Sequence, residues 1–313
     1  MMRSSRWLIR ISLGALLAAG CSSPTDQSAY TRVVLPDGAL GVAVSGSIAF
    51  VTRPYANKVA RIDLTTSRVT GSFLVGSLPC YMVFNSTGTR AYVANQFSDN
   101  VNVIAVASNT QIATIPLTGD PLPVAISTDD NTLFVTTNAD SLFKVDLTTN
   151  TVTGSLPLPA TSHHLLTHPN GNIVYVATRD AGSVLEVDWH SMTVLRTFTL
   201  GGRPQGMAMS ADHSELYVAN ELSNVLHIIT LSNGAINNVS LTGGGEGMSL
   251  GPDGKLYIGE VFAGLVEVVN PETRTLVRTV TVGGTPREVA TDAARNQVVV
   301  ANEDGWVDLL RIH

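Results

Sequence analysis

Tyr217-Val218-Ala219-Asn220 is one copy of a phrase that returns through the whole chain. The others are Phe50-Val51-Thr52-Arg53, Tyr92-Val93-Ala94-Asn95, Phe134-Val135-Thr136-Thr137, Tyr175-Val176-Ala177-Thr178, Tyr257-Ile258-Gly259-Glu260 and Val299-Val300-Ala301-Asn302. Successive first residues lie 42, 42, 41, 42, 40 and 42 positions apart. One supersecondary unit is therefore written seven times. A period of roughly 40 residues built from short strands is that of a propeller blade, whereas helical repeats of similar length space their apolar residues by three and four. The expected fold class is all-β: a seven-bladed β-propeller of four-stranded antiparallel blades.

The fifth copy shows how a repeat becomes a blade. Gln205 to Ser210, Leu216 to Asn220, Val225 to Thr230 and Ile236 to Leu241 read as strands, separated by polar turns and loops. Such a meander has two apolar faces that it cannot bury alone, so neighbouring copies must stack, and curvature closes the stack. Small residues crowd the first strand, as in Gly206-Met207-Ala208-Met209 and Gly247-Met248-Ser249, where strands converge on an axis. Asp63, Asp146 and Asp188 end third strands and suit Asx turns. The seventh copy lacks a fourth strand. Tyr30 to Leu35 is expected to supply it by pairing with Trp306 to Ile312, hiding both edges.

Residues 1–21 read as a targeting segment rather than part of the fold. Arg3, Arg6 and Arg10 form a basic region, Leu8 to Ala19 an apolar stretch too short to span a bilayer, and Leu17-Ala18-Ala19-Gly20-Cys21 a small-residue cleavage site. The segment resembles a bacterial lipoprotein signal, with Ala18 standing where that pattern usually has a branched apolar residue. The resemblance implies lipidation of Cys21, an extracytoplasmic, membrane-anchored protein at the periplasm or cell surface, and attachment without a transmembrane helix. Residues 22–29 are small and polar and read as a tether, leaving 30–313 as the propeller domain.

Charged residues make up 14% of the chain against a typical ~25%, and the formal net charge is −6. No basic stripe is present, which argues against nucleic-acid binding by phosphate neutralisation. Cys21 and Cys80 are the two cysteines, so no intramolecular disulfide forms once Cys21 is lipidated, and stability must come from the core.

Three linked features identify the likeness of residues 30–313 to the YVTN-type β-propeller proteins, which are secreted or surface-associated. They are a Pro or Gly that opens the copy (Pro79, Pro121, Pro204, Pro286), the aromatic-Val-Ala-Asn phrase, and third strands such as Asn100-Val101-Asn102-Val103-Ile104. The likeness implies fold rather than reaction. Propellers of similar blade include lactonases, streptogramin lyases and quinoprotein dehydrogenase subunits, a relation of fold alone.

Function on such a ring gathers at the mouth of the central channel. The position after the opening Pro reads Leu40, Cys80, Leu122, His163, Gln205, Glu246 and Arg287, and the next Gly41, Tyr81, Pro123, His164, Gly206, Gly247 and Glu288. The second strand ends at Arg53, Asn95, Thr137, Thr178, Asn220, Glu260 and Asn302, with Arg179, Glu221 and Glu303 one step beyond. A polar arc from copies four to seven thus faces an apolar arc from copies one to three, as ligand sites often do. The ligand-binding candidates are His163, His164, Gln205, Glu246, Glu260, Arg287 and Glu288. Strand alternation lets at most one of His163 and His164 reach the channel.

No cofactor is expected. His163, Glu246 and Glu260 offer ligands that a divalent cation in the channel could take, but no HExxH, CxxC or DxDxDG spacing supports it. Cys-x-x-Cys-His and GxxxxGK[ST] are absent, and Cys80 lacks a neighbouring base in its own copy and reads as a buried hydrophobe. The favoured function is a monomeric, lipid-anchored binding scaffold that presents loops to a partner protein, a cell-envelope polymer or a small ligand. The alternative is a cation-dependent enzyme of the lactonase or lyase type, acting at the channel mouth.

Overall fold

The computed structural model describes residues 30–313. Their 28 strands form seven separate four-stranded antiparallel sheets, the seven blades of a propeller. Blade 5 consists of Pro204–Met209, Glu215–Asn220, Val225–Thr230 and Ile236–Ser240, and blades 1 to 4 and 6 repeat this meander. The first strand of every blade touches the first strands of both neighbours, including Val42–Ser45 of blade 1 against Pro286–Asp292 of blade 7. The ring is therefore closed about a central axis.

The core is divided among the seven gaps between blades. Alternation in the repeated phrase explains why: Leu216 and Val218 pack toward blade 4, while Tyr217 and Ala219 pack toward blade 6. Each second strand is buried on both faces, and fully burying one such side chain is worth about 1.5–3 kcal/mol. No single gap carries the fold, which suits a described region whose cysteine, Cys80, is free.

Blade 7 takes its outer strand from the start of the described chain. Tyr30–Val34 pairs antiparallel with Trp306–Arg311, Tyr30 opposite Leu310 and Val34 opposite Trp306. Arg32 clasps the join, its Nε and Nη2 donating to the buried Asp308 carboxylate at 2.8 and 3.0 Å, with its guanidinium 4.2 Å from the Trp306 ring centre. Elsewhere the turns follow side-chain chemistry. Asp63, Asp146 and Asp188 each accept two backbone N–H groups from the residues just after them.

Glycine in the first strands has a local cause. A Cβ on Gly41, Gly206 or Gly247 would lie 2.3, 2.0 or 2.3 Å from the carbonyl oxygen of Cys80, Glu246 or Arg287 in the next blade. The inner strands converge too closely there for any side chain.

Candidate functional site

A β-bulge at the start of each first strand builds the channel mouth. In blade 4, Ser162 pairs with Thr178 and His164 already with Ala177, so His163 is an extra residue. Blades 2, 3, 5, 6 and 7 shift register at the same point. In blade 1, Leu40 N–H donates to Thr52 O and Thr52 N–H donates to Gly41 O, setting two residues against one. A bulge breaks strict alternation and re-aims side chains.

The strict alternation behind the expectation that at most one of His163 and His164 reaches the channel is therefore suspended at this point. His164 lines a chamber in the channel. Its predecessor His163 lies within the field of Arg179, Glu221 and Arg287; burial and the nearby Arg179 push its imidazole down to about 3. Both rings stay neutral at physiological pH, burial alone lowering His164 to about 4.

Two bonded groups occupy the polar arc. Arg287 Nη1 donates to Glu246 at 2.6 Å and its Nε to Glu303 at 2.7 Å, while Tyr55 hydroxyl donates to the other Glu303 oxygen at 2.9 Å. Farther round, Glu221 accepts from Arg179 Nη2 and from Gln205 Nε2, both at 2.8 Å. Burial pulls the Arg287 guanidinium down, but Glu246 and Glu303 outweigh it and keep it charged. Burial pushes the Glu246 carboxyl up, with Arg287 pulling against it. Glu221 ends below its ordinary value, since Arg179 and Gln205 outweigh its burial.

Glu260 does not join this arc. The end of the second strand is not part of the mouth: Asn95, Thr137, Thr178, Asn220, Glu260 and Asn302 are all fully buried. These side chains include ties for the loop that enters the blade. Asn220 accepts from Arg203 N–H and donates to Gly201 O, Asn302 does the same with Thr285 and Gly283, and Glu260 accepts from Gly243 N–H at 2.9 Å. The other Glu260 oxygen has no hydrogen-bond partner, and burial raises its carboxyl to about 7. The divalent site imagined from His163, Glu246 and Glu260 is thus not assembled, and among the described residues no three His, Cys, Asp or Glu side chains converge as a metal would need.

Beneath the mouth lies a chamber of about 80 Å³ to which Tyr81, Pro123, His164 and Glu288 contribute. Cys80 is buried beside it, its Sγ 3.6 Å from Gln96 Oε1, and burial raises the thiol to about 12. A thiol so rarely ionised is a poor nucleophile.

Sequence reasoning missed the outermost layer. Two residues past the phrase, the loops read Tyr55, Phe97, Ala139, Asp180, Leu222, Phe262 and Asp304. Four of these are large and apolar, and they stand 63–70% exposed. Tyr55 sits over Gly38 and Phe262 over Gly244, so loop glycines seat the inner edges of these rings. Extending the copy-by-copy alignment by two positions would have found them. Blades 1 and 2 thus present one apolar pair and blades 5 and 6 another across the mouth, with acidic loops between.

No known family's sequence profile matches this chain. It is 28% identical over 161 residues to the uncharacterized protein YncE of Salmonella typhi and of Salmonella typhimurium, a match covering 50% of this chain and 44% of that protein. It is also 32% identical over 106 residues to the seven-bladed beta-propeller protein Rv1057 of Mycobacterium tuberculosis, covering 33% of this chain and 27% of that one. The chain thus spans less than half the length of these curated relatives. Among solved structures, hydrazine synthase of Kuenenia stuttgartiensis superposes with TM-score 0.80 at 19% identity, over 94% of this chain and 99% of the other. Virginiamycin B lyase of Staphylococcus aureus gives 0.79 at 13% identity, over 91% and 99%. At these identities the likeness is one of fold.

Proposed function

We propose that this chain is a YVTN-type propeller that works as an extracytoplasmic binding module, gripping an extended, basic segment of a partner protein across its mouth. One observation carries the reading. Tyr55, Phe97, Leu222 and Phe262 occupy one repeat position and stand mostly in water on one face, where exposed apolar groups mark interaction sites. Charge complementarity selects the partner. The exposed loops beside the apolar pairs carry Asp99, Asp140 and Asp304, whereas Asp180 already faces Arg179 and Arg203, so a segment alternating apolar and basic side chains matches both features.

The anchor belongs to the same proposal, although Cys21 and the tether 22–29 lie outside the described residues. Tyr30 enters the last blade at the end away from the mouth, because Val34 and not Tyr30 opposes Trp306. A lipid on Cys21 would then point the mouth away from the membrane. A Cys21→Ser protein should leave the membrane fraction; retention there through detergent-free washing would reject the lipid anchor.

The docking test uses a fluorescent peptide of alternating Lys and Leu and its Glu counterpart, read by anisotropy. The triple change Tyr55→Ser, Phe97→Ser, Phe262→Ser should weaken binding of the Lys peptide by roughly tenfold or more while lowering Tm only slightly, since exposed side chains add little to stability and the lost bond from Tyr55 to Glu303 is worth about 1 kcal/mol. Unaltered binding, or equal binding of the Glu peptide, would reject the surface.

A further inference from the structure

The chamber below the mouth is distinct from the exposed docking face. It is lined by Gly41, Pro123, Met82 and Leu165 together with three polar side chains, Tyr81, His164 and Glu288, delivered by blades 2, 4 and 7. Among the described residues the Tyr81 hydroxyl and the His164 ring make no hydrogen bond to another side chain, Glu288 meets only the backbone N–H of Val289, and His164 Nδ1 is sealed from solvent without a partner. The three side chains are half-buried and open on the chamber, and the sealed His164 Nδ1 is the one atom among them that a protein interior would be expected to pair. A volume of about 80 Å³ holds two or three water-sized groups, each water taking roughly 30 Å³ in the liquid.

We infer that this chamber is a binding site for a small primary ammonium group, with the Glu288 carboxylate as its counter-charge and His164 and Tyr81 as neutral acceptors. A –NH3⁺ group has three donors and no acceptor, and the chamber offers a carboxylate, an imidazole nitrogen and a phenolic oxygen. The methylene walls of Met82 and Leu165 suit an alkyl stem. The charge of Glu246 is felt there and disfavours anions, and Glu288 adds to this where it is ionised. Arg287, the residue before Glu288 on the same strand, is already held by Glu246 and Glu303.

Burial, reinforced by Glu246, raises the Glu288 carboxyl to about 8. Glu246 is the charged group felt at Glu288, and Tyr81 from blade 2 and His164 from blade 4 line the same chamber. His164 stays neutral from about pH 5 upward, so Glu288 governs the titration. An ammonium ligand must displace the Glu288 proton, and its affinity should rise by about tenfold per pH unit up to about pH 8 and then level.

Ligand-observed NMR with methylammonium chloride on the intact protein tests this. Saturable binding with Kd on the order of 10 mM is expected at about pH 8.5, roughly hundredfold weaker at about pH 6, with acetate not binding. Glu288→Gln should weaken it at least tenfold and remove the pH dependence, while Tyr81→Phe, which keeps the carboxylate, should weaken it several-fold and retain that dependence. Binding by Glu288→Gln equal to wild type would place the ammonium away from Glu288, and no saturable binding by the wild type at about pH 8.5 would show a chamber that holds water only; each overturns the proposal. Either result leaves the docking face untouched, and the Tyr55, Phe97 and Phe262 variants should bind methylammonium as the wild type does.

Discussion

Blades 1 to 3 and blades 4 to 7 bulge at the same point of the first strand, yet they line the mouth with opposite chemistry. Leu40, Cys80 and Leu122 stand on one side, and His163, Gln205, Glu246 and Arg287 on the other. The backbone is common to both halves, so the difference lies in side chains alone. Burial then acts on the two halves differently. It leaves the apolar half inert, while in the polar half each charge needs a partner within hydrogen-bonding distance, as Arg287 has in Glu246 and Glu303. A contrast of this kind can be broken from either side.

The largest effect is expected from Arg287→Ala. It strands Glu246 and Glu303 without their cation, and removing one partner of a buried pair costs about 3–5 kcal/mol. Urea denaturation measures the loss. A change below about 1 kcal/mol would mean that water, not Arg287, satisfies the two carboxylates.

Glu260 and Glu288 sharpen the contrast, because one is a fully buried and the other a half-buried carboxylate, and among the described residues neither forms an ion pair. The Glu260 carboxyl titrates near 7 in the fold against 4.5 ordinarily. A raised folded value contributes stability that is complete below the unfolded value and is lost as pH rises through the folded one. The wild type should therefore lose stability between about pH 4.5 and 7, and Glu260→Gln should be more stable by about 2–3 kcal/mol at about pH 8 with little gain at about pH 4.5. Parallel melting curves at both pH values would show that the orphan oxygen is hydrated.

Glu288→Gln should behave likewise but more weakly. Its window runs from about 4.5 to about 8. The carboxylate opens on a chamber that admits water, so screening should reduce the gain above about pH 8 to about 1–2 kcal/mol. The expected signature is a Tm difference that widens with pH over that window.

On the apolar side, Cys80→Val is the smallest change. Buried, un-ionised and of similar volume, the thiol acts as a hydrophobe there, and the swap should move stability by less than about 1 kcal/mol. A loss of several kcal/mol would reveal that the contact of Sγ with Gln96 matters more than packing.

Seven copies of one phrase settled the fold class without help, because an aromatic-Val-Ala run buried on both faces has no partner except its own neighbours. The list of mouth residues was legible only in part. Aligning copies put Gln205, Glu246, Arg287 and the two histidines at the start of the first strand, where the register shifts, since the repeat is nearly fixed in length. It misassigned Glu260, because the alignment gives a position and not a direction, and the second-strand end turns inward to tie a loop. It also excluded one of His163 and His164 by strand alternation, a rule the bulge suspends. Tyr55 comes from blade 1 and Glu303 from blade 7, and only closure of the ring brings them 2.9 Å apart. Local pattern determined what each blade is. Side-chain direction and contact across blades were decided by the tertiary structure, because they depend on where the backbone bulges and on which copy becomes the neighbour.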